Sequence, residues 1–141
     1  AIATLAVGEM MVLGELEYHK GNYPLAFAHL RESVRRCDSL DYSEPWPWMH
    51  PPRHALGALL LEQGHYAEAE KVYRADLGLN DTVVRCAQHW ANIWALHGLV
   101  ECLKHRKATD ELEKLQPRLD NAVLLADTSI TSSCCCRKNV M

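Results

Sequence analysis

The sequence predicts an all-α protein, a superhelical stack of helix-turn-helix units (an α-solenoid) closed by a C-terminal capping helix. Three observations point there. Displaced so that Gly14 falls on Gly57, the chain also brings Leu13 onto Leu56, Leu16 onto Leu59, Gly21 onto Gly64, Tyr23 onto Tyr66, Ala26 onto Ala69 and Arg31 onto Arg74. Apolar residues recur at every third or fourth position within each register, and a second glycine breaks each run at the same place.

The elements follow in chain order. Ile2, Leu5, Ala6, Met10, Leu13 and Leu16 give Ala1 to Lys20 the spacing of an amphipathic helix. Gly14 lies inside it, where glycine costs about 1 kcal/mol against alanine, so a close approach by another helix is expected there. Gly21 can end that helix in a left-handed conformation, and Tyr23 is expected to plug the corner. Ala26 and Leu30 mark the buried face of the next helix, so the first pair covers about 3–37. From Asp38 to Pro52 the prolines 45, 47, 51 and 52 surround Trp46 and Trp48, a linker that cannot continue a helix. Pro51 or Pro52 opens the second pair, about 52–80, in which Gly57, Gly64, Tyr66, Ala69 and Tyr73 repeat the first pattern. Trp94 to Gly98 starts a degenerate third pair, about 90–108, with His105, Arg106 and Lys107 where the turn glycine and aromatic should stand. Leu112, Leu115, Leu119 and Val123 give 110–126 the face of a capping helix, with Pro117 placed to bend or split it. These parts make a helical domain over 1–126. Residues 127–141, rich in Ser, Thr and Cys, have no periodic apolar face and are expected to form a flexible tail.

Composition narrows the function. The formal net charge of −3 and pI near 6.2 give no basic field for gripping nucleic acid. The weakly charged start, Ala1 to Leu13, is broken by Glu9, too short for a membrane span and without the basic opening of a signal peptide, so a cytoplasmic protein with no membrane partner is expected. Cys134, Cys135 and Cys136 are consecutive and Cys37, Cys86 and Cys102 scattered, which is no disulfide framework, and reduced thiols are expected. Arg137 and Lys138 beside the triplet favour thiolate, while Cys102 reads as a small core residue.

The motifs Leu13-Gly14, Gly21-Asn22-Tyr23 and Ala26, with Leu56-Gly57, Gly64-His65-Tyr66, Ala69 and Tyr73, resemble the tetratricopeptide repeat. Glu17 and Leu60 replace a usual tyrosine, and Ser33 and Asp76 a usual small apolar residue. The spacing between units exceeds the family's repeat of about 34 residues, and the Pro-Trp linker with Arg53 to Gly57 is similar to the C-terminal region of longer proteins of this type. The resemblance implies a non-enzymatic interaction or scaffold module that binds a peptide or partner helix in a concave groove, with no cofactor. Its groove positions fall on Met11, Glu15, Tyr18 and His19, then on His54, Ala58, Leu61 and Glu62, and in the third unit on Asn92, Ala95 and Leu99. Trp46 and Trp48 are either exposed peptide anchors or fillers of the overlong linker. Family members that hold a terminal carboxylate do so with Lys, Asn and Arg. Here Met11, Glu15 and Ala55 occupy those places, and the mixed Glu, His and Tyr lining implies a neutral or basic segment, bound more tightly above the histidine pKa.

Two other readings stand beside this one. Nothing covers the outer Ile2, Leu5 and Ala6 face, so the chain could end a longer solenoid or form a homodimer through that helix. Abundant His and Cys give a metal or hydrolytic reading through His50 with His54, Cys86 with His89, or Cys102 with His105. No metalloprotease motif, phosphate loop or nucleophile elbow supports it, and no metal is expected. Glu68 and Glu70 are read as solvated carboxylates.

Overall fold

A computed structural model describes residues 2–137; Ala1 and the last four residues, including Lys138 and the end of the expected tail, lie outside it. The described residues form α-helices and one short 3-10 turn with no strand: α1 Ile2–His19, α2 Tyr23–Asp38, α3 Pro52–Glu62, α4 Tyr66–Asp76, α5 Ile93–Arg106 and α6 Thr109–Leu125. They fall into two compact units, residues 1–56 and 57–141.

In the first unit α1 packs antiparallel on α2. Gly14 allows it, because a Cβ there would lie 2.6 Å from Leu30 Cγ and 3.2 Å from the Ala26 carbonyl. Gly21 turns the corner at φ +83°, with its N–H bonded to the Tyr18 carbonyl and the next N–H, of Asn22, bonded back to Glu17. This is the paired-bond helix ending that a left-handed residue makes possible. Ser33, buried where an apolar residue was expected, donates its hydroxyl to the Val7 carbonyl at 2.8 Å and so joins the two helices. Tyr23 does not plug the corner; it stays partly exposed, tilted against Tyr18 with ring centres 5.0 Å apart. The linker returns to α1 by laying the Trp48 ring over Gly8, where any Cβ would collide with it. Arg53, at the start of α3, grips the Asp38 carboxylate through two bonds of 2.6 Å.

The second unit is built around Tyr73. Its fully buried ring presses on Gly57 of α3, where a Cβ would come within 2.5 Å, and equally on Gly98 of α5. Two glycines therefore serve one aromatic side chain, the counterpart of Leu30 in the first unit. Gly64 repeats the corner of Gly21, with φ +76° and the same two bonds, to Leu61 and Leu60. Tyr66, partly exposed like Tyr23, stacks on His105 of α5 at 4.0 Å. Asp76, buried in the register of Ser33, finds its partner in His89 Nδ1 at 2.8 Å.

The third pair departs from expectation. The helix expected as a cap is the second member of a complete pair, α5–α6, with its own tight corner. Lys107 takes the left-handed conformation at φ 57°, and the N–H groups of Lys107 and Ala108 bond to Lys104 and Leu103 in the pattern of the glycine corners. Ala108 opens α6 at φ −84° and ψ 71°, close to Asn22 and His65 at the starts of α2 and α4. The corner thus falls two residues later than the glycine spacing predicts. α6 runs unbroken through Pro117. Glu70, expected to be merely solvated, accepts from Arg74 at 2.8 Å and from Arg106 at 3.1 Å, and both arginines also hold Glu111, closing a ring of charges over α4, α5 and α6.

The expected flexible tail is also different as far as Arg137. Ser133 and Cys134 are 1% and 2% exposed, and the chain joins Cys134 to Cys136 in a disulfide where reduced thiols were expected. The segment has no periodic pattern because it is held by side chains of distant helices rather than by its own backbone. No helix among the described residues is long and apolar enough to cross a membrane.

Candidate binding face

The family resemblance implies binding positions on the first helix of each pair, α1, α3 and α5, each taken within its own unit. On α1 only some of them are accessible. Met11 and Tyr18 are core residues, with Tyr18 edge-on to Phe27 at 6.1 Å, so their side chains serve the α1–α2 contact. Glu15 is half-buried, and His19 is exposed one turn further on. Burial raises the Glu15 pKa above its ordinary 4.5, against a smaller lowering by His19. A carboxylate partly stripped of water gains from a cationic partner. The linker tryptophans divide: Trp46 is 43% exposed, whereas Trp48 is packed on Gly8 with its indole N–H buried and without a partner among the described residues.

On α3, His54 is buried, and so are Ala58 and Leu61, while Glu62 is exposed. Nearby, burial and then the His54 charge lower the pKa of His50. On α5, Asn92 is taken up in capping, since its side-chain oxygen accepts from the N–H groups of Trp94 and Ala95 at 2.9 and 3.3 Å. Ala95 and Leu99 are fully buried. Of the residues singled out from sequence, Glu15, His19, Trp46 and Glu62 therefore present usable surface. Met11, Tyr18, Trp48, His54, Ala58, Leu61 and Asn92 do structural work.

Sequence reasoning missed what lies on the second unit. The Tyr73 hydroxyl, passing between Gly57 and Gly98, bonds Ser133 at 2.7 Å. Four residues on, Arg137 reaches Glu101 of α5 at 2.6 Å, and Glu62 adds to the negative field around that guanidinium. His97 of α5 meets the Ile130 backbone, and burial lowers its pKa. A cleft of about 290 Å³ runs beside this segment, lined by Trp94, Ser129 to Ser132, Cys134, Cys135 and Arg137. Residues 129–137 are thus seated by a hydroxyl contact, an ion pair and the His97–Ile130 backbone contact, with Ser133 and Cys134 buried. Tyr73 itself is no acid, since burial drives its pKa far above the ordinary 10.

Cys102 is buried, which pushes its thiol up to about 12 and leaves no thiolate for chemistry at neutral pH. Among the described residues no three His, Cys, Asp or Glu side chains gather as a metal site requires.

A family model described as tetratricopeptide repeat matches residues 5–75, from the first turn of α1 through α4. No curated protein and no solved structure matches the chain.

Proposed function

The chain belongs to the tetratricopeptide repeat family, whose repeats generally mediate protein–protein contacts without catalysis, and from that premise we propose that each of its units binds a basic segment of a partner on the first helix of its pairs. One observation carries the reading: a non-helical segment, residues 129–137, bent at Ser132–Ser133 and turned at Cys135–Cys136, already lies against α5, with its arginine on Glu101. Acidic groups mark the accessible positions, Glu15 on α1 and Glu62 on α3. An anionic partner terminus has no cation to meet at Met11, Glu15 and Ala55, which supports a basic ligand over an acidic one.

The test is selection from a displayed library of random peptides. Enriched peptides are expected to carry Lys or Arg, and their affinity is expected to fall about tenfold on Glu15→Lys or Glu62→Lys, the loss of one charge-assisted contact. Enrichment of acidic peptides, or indifference to both variants, would overturn the reading.

A second reading has its own support. Ile2 and Leu5 are 86% and 69% exposed, and Val12 and Leu16 extend the same apolar stripe of α1. If that stripe joins two copies, sedimentation on dilution will show a dimer that Leu5→Asp abolishes; a monomer at all concentrations removes it.

A further inference from the structure

We propose that residues 129–137 are a displaceable internal ligand, a tail that competes with the partner for its seat on the second unit and so sets the affinity of the module. The proposal rests on the binding reading above and adds its regulation. The seat is small and polar: Ser133 on the Tyr73 hydroxyl at 2.7 Å, and Arg137 on Glu101 at 2.6 Å with Glu62 nearby. Core segments of this protein are held by apolar helix faces; this segment, though Ser133 and Cys134 are buried, is held by polar contacts of Ser133, Arg137 and the Ile130 backbone that another chain can reproduce. Its recognition pattern is a small hydroxyl residue followed at the fourth place by arginine. The cleft of about 290 Å³ beside the segment leaves one flank open to an incoming chain. The tether is short, since α6 ends at Leu125 and the seated segment begins at Ser129.

Mass action gives the size of the effect. A short tether holds its ligand at a local concentration of about 1 mM, so a segment with an intrinsic Kd of about 0.1 mM is seated about nine-tenths of the time and weakens a competitor about tenfold. Release by Arg137→Glu leaves Tyr73, Glu101 and Glu62 untouched and returns that factor.

The probe is a fluorescent peptide of residues 127–137 carrying Cys135→Ser, oxidised to join Cys134 and Cys136, titrated against the full chain. The Arg137→Glu chain is expected to bind it about tenfold more tightly than the native chain. Adding Glu101→Arg is expected to abolish that binding, and a peptide carrying Arg137→Glu is expected to restore it. A second chain keeps both tail and seat intact: a Gly-Ser insertion of about twenty residues between Asp127 and Thr128 lowers the local concentration about tenfold and is expected to raise peptide affinity in the same direction. Equal affinity of native, Arg137→Glu and insertion chains, or no binding by any of them, would overturn the proposal and make the tail a fixed part of the fold. The binding reading is judged separately, by the library peptides and the Glu15→Lys variant in the first unit, so the two can fail independently.

Discussion

Gly98 has no side chain because Tyr73 occupies the space where one would be. Alanine there gains about 1 kcal/mol of helix propensity but must displace a fully buried ring wedged against Gly57 on its other side, at a cost of about 2–3 kcal/mol. Gly98→Ala is therefore expected to destabilise the second unit by about 1–2 kcal/mol in urea unfolding, whereas at an open helix position the same change stabilises. Glu15, a proposed binding residue, shows the opposite behaviour. Its pKa is raised by burial, so its ionised form opposes folding: the stability it contributes is present below the ordinary carboxylate pKa and is lost as pH rises through the raised value. Glu15→Gln is expected to raise Tm by a few degrees at pH 7 and not at pH 3, while weakening a basic ligand. A variant whose Tm shift is the same at both pH values would show that Glu15 is not strained by its charge.

At the scale of elements, three corners share one backbone and differ in what enforces it. Gly21 and Gly64 adopt a left-handed φ without cost; Lys107 does so against its Cβ. Lys107→Gly is expected to stabilise by about 0.5–1 kcal/mol, read as a higher urea midpoint with unchanged slope. The ring of Arg74, Glu70, Arg106 and Glu111 ties the pair α5–α6 back to α4. Hydrogen bonds from Arg106 and then Arg74 hold the Glu111 pKa below its ordinary 4.5. Its contribution is present above that value and is lost as pH falls through the depressed one. Because Glu111 is well exposed, solvent screening keeps the contribution small, so Glu111→Gln is expected to lower Tm by about 2 °C at pH 7 and by nothing near pH 2. These elements also show what the sequence could and could not tell. α1 to α4 were legible because each glycine sits where the backbone demands it. The third corner was not, since a lysine forced into that conformation carries no local signal. With the corner unseen, α6 was mistaken for a cap.

For the whole molecule, legibility ended where long-range contact began. The all-helical class follows from periodicity, and the family from motifs that the matched residues 5–75 contain. Of the positions that the family resemblance picks out, Met11, Tyr18, Ala58 and Leu61 turn inward and Asn92 becomes a cap, because each pair needs those side chains for its own closure. Tyr73, Glu101, Ser133 and Arg137 were out of reach of pattern reading, being brought together across 60 and 36 positions of chain. A tail without hydrophobic period looks free to any local criterion, whatever it docks against.

Trp94 gives this arrangement an optical consequence. Its indole lines the same cleft as Ser129 to Ser132, so light emitted from it reports whether that segment is seated. In a chain carrying Trp46→Phe, Trp48→Phe and Trp90→Phe, emission is expected to shift to longer wavelength when Arg137→Glu is added, as water replaces protein around the ring. An unchanged spectrum would mean that the segment had not left. No dye or label is needed: the molecule has its own lamp beside its latch.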